Sequence, residues 1–242
     1  MERKPTTRMK GLAAGLLLFV CSWVSAAEPL KISVIGGGGM IGQRVVREAL
    51  DRGHHVTAIV RDPTRVTLTH ERLTVRRGDV LDPQISDLLA GQDVVVSAIG
   101  SARAQQPDPT VYLKAAESLV TALRKLGQRA PRLIVVGGAG SLKNAAGQVL
   151  VERLPTERQA EGLGQKAALD YYRTVADVSW TYFSPAGRIM PGERTGVFRL
   201  GEDTVIMVDE RDSRISMEDY ALALIDEAEK PRHVRRRFTI GY

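Results

Sequence analysis

The sequence predicts an α/β protein built on a doubly wound parallel sheet with a small C-terminal lobe. Two observations lead to this class. Short apolar runs rich in Val and Ile recur over residues 31–183, and stretches with helical spacing separate them. The first run, residues 31–35, passes through a glycine-rich turn directly into a helix. Strands that alternate with helices need crossover connections, which produce a parallel sheet covered by helices.

The first strand is followed by Gly36, Gly39 and Gly42 at three-residue spacing, and apolar residues then recur at helical spacing up to Leu50. Glycine lets the backbone turn tightly and approach phosphates, and the N–H groups at the start of the helix face the negative charge. Strand, glycine turn and helix in this order are therefore typical of a Rossmann-like dinucleotide site. A turn that serves only as a connector is the alternative.

The remaining core elements follow in order. Five more core strands are predicted over residues 55–60, 73–77, 93–99, 132–136 and 178–183. Helices are predicted over residues 83–90, 111–126, 157–175 and 217–229, with Asp108 or Thr110 capping the second of these and Ser216 the last.

Beyond the sixth strand the sequence predicts the small lobe. Two short strands are expected at residues 196–200 and 204–208, and a final strand at 237–241. Residues 141–155 form a long loop without helix or strand signals, and a loop of this length is typical of a lid or a substrate loop.

The amino terminus has the pattern of a secretory signal peptide. Basic residues up to Lys10 precede an apolar run over residues 11–24, and small residues surround Ala26. The run is shorter than the ~20 residues that span a bilayer. We therefore expect a signal peptide over residues 1–26, export to the periplasm and no stable membrane span, with the leader retained as a membrane anchor as the alternative. The only cysteine, Cys21, lies in the leader, so the mature chain would have no disulfide or thiol chemistry.

The mature part is expected to be one domain, residues 30–242, with little excess charge. The net charge is +6, and the first 26 residues contribute +3 of it, from four basic residues against one acidic residue. The basic run 235–237 has no interleaved aromatic residues, which favours a solvated edge over a nucleic-acid contact. His54 and His55 are adjacent at the start of a strand and should point to opposite faces, and no ligand cluster surrounds the other histidines, so no metal site is predicted.

Several stretches together resemble a known superfamily. They are the glycine turn at 36–42, Val60-Arg-Asp-Pro63, Gly78-Asp-Val80, Ser97-Ala-Ile-Gly100, Val136-Gly-Gly-Ala-Gly-Ser141 and Trp180-Thr-Tyr-Phe-Ser-Pro185. The set resembles the atypical short-chain dehydrogenase/reductase superfamily, in its NAD(P)H-binding, NmrA-like and flavin-reductase-like branch. The resemblance covers residues 31–242 and implies a nicotinamide dinucleotide at the carboxyl ends of the strands.

The resemblance also implies which residues contact each part of the cofactor. The pyrophosphate would be held by Gly36, Gly39, Met40, Ile41 and Gly42. The adenine would lie by Asp79 and Val80, the middle ribose by Ala98, Ile99 and Gly100, and the nicotinamide near Pro185.

The end of the second strand bears on the choice of cofactor. An acidic residue there would accept hydrogen bonds from a ribose 2′-hydroxyl, whereas arginine would pair with a 2′-phosphate. Arg61 stands first and Arg65 follows four residues later, so NADP(H) is favoured over NAD(H). Asp62 keeps NAD(H) open, and Arg61 as a plain surface charge is the alternative.

The catalytic residues are less clear. The superfamily's usual proton donor is a tyrosine four residues before a lysine, but Gly162 stands four residues before Lys166. The serine expected after the fifth strand is replaced by glycines at 137 and 138, with Ser141 following. Lys166 and Ser141 are therefore weak catalytic candidates, and Lys166 as a solvated helix residue is favoured.

Two functions from different classes fit this pattern. The first is a reductase that transfers hydride from NADP(H) to a small planar acceptor such as a flavin or quinone, which can take its proton from solvent. The second is a non-catalytic NADP(H)-binding module that senses redox state, as NmrA-like proteins do. An isomerase or dehydratase is a third, less favoured alternative.

Overall fold

A computed structural model of the protein describes residues 1–2, 28–100 and 108–242. The predicted signal peptide, with Cys21, lies outside the described residues except for its first two positions. None of the helices in the described ranges is long and apolar enough to cross a bilayer.

The described residues contain ten strands: β1 Lys31–Ile35, β2 His55–Val60, β3 Leu73–Arg77, β4 Val94–Ser97, β5 Arg132–Val136, β6 Trp180–Ser184, β7 Arg188–Met190, β8 Arg199–Gly201, β9 Arg214–Ser216 and β10 Arg236–Gly241. Eight of them form the core sheet in the order β3-β2-β1-β4-β5-β6-β10-β8, which is parallel throughout except for the antiparallel edge strand β8. The other two, β7 and β9, form a separate parallel pair.

Five α-helices cover the sheet. They are α1 Met40–Asp51, α2 Ile85–Leu89, α3 Val111–Leu126, α4 Thr156–Thr174 and α5 Met217–Glu229. Short 3₁₀ turns at Pro63–Arg65, Gly127–Arg129, Ala139–Ser141 and Leu150–Arg153 complete the connections. The predicted Rossmann-like doubly wound fold is confirmed.

The two faces of the sheet bury separate apolar cores. On one face α1 packs against α5, and the stacked rings of Tyr220, Phe183 and Phe238 lie beneath them, with centroids 4.2 and 4.0 Å apart. On the other face α3 and α4 bury the tilted pair of Tyr172 and Trp180. Strands buried on both sides explain the continuous apolar runs of the sequence.

The C-terminal part differs from the prediction. The final strand, β10, joins the main sheet in parallel beside β6 instead of belonging to a separate lobe. The strand predicted at 204–208 does not form, because Val205 donates its N–H to the Lys143 carbonyl and Val208 bonds within its own turn to Asp212. The long loop 141–155 is packed, since Leu142 and Val151 are fully buried.

The solvated edge predicted at 235–237 is wrong for Arg237. Alternation along β10 turns this side chain inward, where it forms a salt bridge with Asp203 and its Nε donates to Oδ1 over 2.7 Å. Burial opposes ionisation of Asp203, but the hydrogen bonds and charge of Arg237 outweigh it and lower the pKa of that carboxyl. Arg235 and Arg236 are exposed as predicted.

Candidate functional site

The glycine turn after β1 is shaped by backbone contacts that exclude side chains. Gly36 adopts φ +80°, and a Cβ on it would come within 2.4 Å of the Ala98 carbonyl oxygen. A Cβ on Gly42 would come within 2.1 Å of the Gly36 carbonyl oxygen. The chain therefore passes between β1, the end of β4 and the first turn of α1 at a distance that only glycine permits.

The amino end of α1 is open to a ligand. Its N-cap residue, Gly39, provides no side-chain cap, and the first turn contains no acidic residue. The Gln43 side chain donates to the Gly38 carbonyl over 3.0 Å and braces the turn from below. Uncapped N–H groups at the positive end of a 12-residue helix form a favourable anion site.

A cavity of about 530 Å³ opens directly beside this turn, at the carboxyl ends of β1 to β4. Nine residues predicted to hold the cofactor line it: Gly36, Gly39, Arg61, Arg65, Asp79, Val80, Ala98, Ile99 and Gly100. Four others do not. Met40, Ile41 and Gly42 lie in the first turn of α1 next to the cavity, and Pro185 is buried after the end of β6.

The charge at the end of β2 is arranged asymmetrically. Arg61, Asp62 and Arg65 all line the cavity, and Asp62 accepts hydrogen bonds at Oδ1 from the Thr64 hydroxyl and N–H, at 2.7 and 3.1 Å. These bonds, helped by the charges of Arg65 and Arg77, lower the pKa of Asp62. One oxygen of the Asp62 carboxylate is thus engaged locally, and Arg61 and Arg65 share the cavity with it.

Sequence reasoning missed some of the lining. Leu81, Asp108 and Val111 also face the cavity. Asp108 was one of the two predicted caps of α3; the N-cap residue is Thr110, whose hydroxyl and N–H donate to the Asp108 carboxylate at 2.6 and 2.9 Å. That Asp108 also lies beside the cavity depends on how the start of α3 packs over the sheet edge.

The two weak catalytic candidates are both engaged by protein groups. Lys166 is half-buried and pairs with Asp170, four residues further along α4, over 2.7 Å. The buried Ser141 hydroxyl donates to the Gly138 carbonyl at 3.2 Å and lies 3.4 Å from Arg237 Nη1. Both groups therefore have a protein partner in this arrangement.

The position of the usual tyrosine is closed. A Cβ on Gly162 would come within 2.6 Å of a Val151 methyl group, and the backbone of Gly140 lies behind it. A tyrosine at this position would require the loop 141–155 to move. The site therefore has no tyrosine–lysine acid pair.

No group of three or more His, Cys, Asp or Glu side chains capable of holding a metal ion occurs in the described part of the chain. The residues present instead suit a dinucleotide: an open helix end, glycines that leave room for backbone approach, apolar walls at Val80 and Ile99, and arginines at one end.

A family model described as NAD(P)H-binding matches residues 36–231, well over half of the chain. The chain therefore belongs to the NAD(P)H-binding family, and the resemblance found in the sequence is confirmed. Residues 36–231 include the glycine turn and the residues at the ends of β2, β3 and β4 that line the cavity.

Three solved structures are similar over nearly their full length. A candidate exported protein from Burkholderia pseudomallei is 42% identical, with a TM-score of 0.77, covering 88% of this chain and 100% of that one. A candidate epimerase from Bacteroides thetaiotaomicron is 36% identical, with a TM-score of 0.79 over 89% and 98%. A candidate NADH-flavin reductase from Streptococcus pneumoniae is 33% identical, with a TM-score of 0.77 over 88% and 99%.

Proposed function

We propose that this member of the NAD(P)H-binding family is an NADP(H)-dependent reductase that delivers hydride to a small planar acceptor such as a flavin or quinone. The observation that carries the proposal is a cavity whose lining suits a dinucleotide, combined with glycine at position 162, where the usual tyrosine of the acid pair would stand. When bound, a reduced nicotinamide supplies hydride. The protein then needs only to bind and orient the acceptor and to exclude water from the reacting atoms. An acceptor that takes its proton from solvent suits such a site.

The preference for the 2′-phosphorylated cofactor is supported by Arg61 and Arg65 at the cavity and by the engagement of Asp62 with Thr64. A planar guanidinium can bind a phosphate through two hydrogen bonds, and charge-assisted bonds are stronger than neutral ones. The similar pneumococcal protein bears a name that specifies NADH, so the two cofactors must be compared directly.

The test of cofactor choice is calorimetric titration of NADPH and NADH into wild type and Arg61→Ala. We expect the substitution to raise the Kd of NADPH about tenfold, as for the loss of one charge-assisted hydrogen bond, and to leave the Kd of NADH within about twofold. Arg129→Ala, an exposed arginine in the turn before β5, is the matched control. An equal loss of affinity for NADPH and NADH in Arg61→Ala, or a preference of the wild type for NADH, would contradict the role of Arg61.

Turnover distinguishes the reductase from the other functions. We expect steady NADPH oxidation with FMN or menadione. Tight NADPH binding without oxidation by any flavin or quinone would favour the non-catalytic redox-sensing module. The name of the Bacteroides thetaiotaomicron relative makes epimerisation the remaining alternative, which would leave the cofactor unchanged over the full cycle.

We also propose that the protein is exported to the periplasm after cleavage of its leader. The basic and apolar pattern of residues 1–26 supports this, as does the similarity to a candidate exported protein from Burkholderia pseudomallei.

A further inference from the structure

The Gln165 side chain of α4 lies over the end of β5. A Cβ built on Gly138, two residues beyond that strand, would come within 1.3 Å of Gln165 Oε1 and 2.4 Å of Cδ. The amide therefore occupies the space that a side chain at position 138 would fill. Gly138 is in an extended conformation, with φ −124° and ψ 154°, so its backbone angles do not require glycine, and a larger residue there would displace the flexible Gln165 side chain.

Close backbone packing holds α4 in the place that makes this contact possible. A Cβ on Gly164 would come within 2.2 Å of the Pro109 carbonyl oxygen, and Gly162 lies against Gly140. The buried Tyr182 hydroxyl also donates to the Gln165 carbonyl over 2.9 Å. The backbone of Gln165 is thus fixed by a core residue of β6, which leaves the side chain a limited range of directions.

The Gln165 carboxamide makes no hydrogen bond within residues 28–100 and 108–242, although the residue is only half exposed. By contrast, Gln43 donates to the Gly38 carbonyl and Gln159 to the Leu154 carbonyl. An amide offers two N–H donors and a carbonyl acceptor, and at this half-buried position no described protein group uses them. Such a group at the end of a central strand is suited to a ligand.

The sheet order indicates which ligand lies there. A dinucleotide crosses a doubly wound sheet where the strand order reverses, here between β1 and β4, with one nucleotide on each side. Arg61 and Arg65 are on the β2 side, so the adenosine half belongs there. The nicotinamide half and the acceptor stacked on it then lie toward β5 and β6.

Building on the proposed function, we propose that the Gln165 carboxamide donates a hydrogen bond to a carbonyl oxygen of the acceptor and so determines which acceptors bind. Flavins and quinones both present ring carbonyl oxygens, which accept from an amide N–H. Lys166 and Ser141 are occupied by other protein groups, whereas Gln165 has a polar group to spare at this strand end.

The test is calorimetric titration of FMN into the protein saturated with NADP⁺, a combination that cannot react. We expect Gln165→Ala to raise the Kd of FMN about five- to tenfold, the loss of one hydrogen bond, and to leave the Kd of NADP⁺ within about twofold. Gln165→Glu should weaken FMN binding at least as strongly, because a carboxylate cannot donate a hydrogen bond to a carbonyl oxygen. Gln128→Ala, an exposed glutamine in the turn that enters β5 from its opposite end, is the control.

The outcomes separate this inference from the function on which it rests. Equal FMN affinity in wild type and Gln165→Ala would overturn the role of Gln165 alone. An equal loss of NADP⁺ and FMN affinity would also overturn it, since the residue would then contact the cofactor. If neither FMN nor menadione binds to the wild-type NADP⁺ complex, the acceptor class in the proposed function is wrong, and this inference falls with it.

Discussion

At the scale of single residues, glycine is needed at different positions for different structural reasons, which the sequence does not distinguish. Gly36 is required by a positive φ and by the Ala98 carbonyl, whereas Gly162 is required by the Val151 side chain. Gly36 keeps the glycine turn after β1 tight, and Gly162 lets α4 approach the loop after β5. Atoms of Val151 and Gly140 therefore fill the space beside position 162, where the superfamily's usual tyrosine would stand.

Gly42→Ala tests the close approach at the dinucleotide turn. Alanine improves helix propensity by ~1 kcal/mol, but its Cβ would lie 2.1 Å from the Gly36 carbonyl oxygen, which must shift. We expect a net loss of about 1–3 kcal/mol in the free energy of unfolding and weaker NADPH binding, measured by denaturant titration and calorimetry.

Gly100→Ala is the matched control, because a Cβ there meets no atom within 4 Å. Its free energy of unfolding should remain within about 0.5 kcal/mol of wild type. If the two alanine variants have the same stability, the contact between Gly42 and Gly36 does not constrain the turn.

At the scale of elements, α5 is anchored through a buried carboxylate at its amino end. Asp219 accepts from the Gly196 N–H at 2.8 Å, the Thr195 hydroxyl at 2.6 Å and the Tyr242 hydroxyl at 2.8 Å. Burial disfavours its ionised form, but these hydrogen bonds outweigh burial and lower the pKa of Asp219. One side chain thus joins the helix, the segment before β8 and the carboxyl terminus.

The sign of the pH dependence follows from this lowered pKa. A carboxylate with a lower pKa in the folded state stabilises the protein above its unfolded pKa near 3.8, and the contribution is lost as the pH falls through the folded value. We expect Asp219→Asn to be less stable than wild type by about 1–3 kcal/mol at pH 7, with a gap that narrows toward pH 3.

Thermal unfolding of wild type and Asp219→Asn between pH 7 and pH 3 measures this gap. Glu117→Gln, at an exposed position on α3, is the control, and its stability should depend on pH as that of the wild type does. A gap that stays constant across the range would mean that the ionised form of Asp219 is not what stabilises α5.

At the scale of the whole molecule, the parallel sheet gathers residues from distant parts of the sequence at one edge. Gly36, Arg61, Asp79 and Ala98 each follow a different strand, and all line one cavity. The reason is that the carboxyl ends of parallel strands point the same way, so the residue after each strand reaches the same crevice.

The predicted leader is tested on the whole protein. Fractionation of the native host followed by N-terminal sequencing should find the mature protein in the periplasm, beginning after Ala26 or Ala27. A full-length chain in the membrane fraction would support the retained anchor instead, and a cytosolic protein beginning near Pro29 would contradict export.

The sequence by itself determined the fold class and most helices and strands, because glycine spacing and apolar periodicity are local properties of the chain. Of the nine predicted residues that line the cavity, five came from the resemblance to a known superfamily: Asp79, Val80, Ala98, Ile99 and Gly100. Only the tertiary structure decided where β10 is inserted, that Arg237 is buried, that Lys166 and Ser141 are engaged, and that Gln165 lies over Gly138. These outcomes depend on contacts between residues far apart in the chain, and no local pattern records which side chain will occupy a space that another residue leaves open.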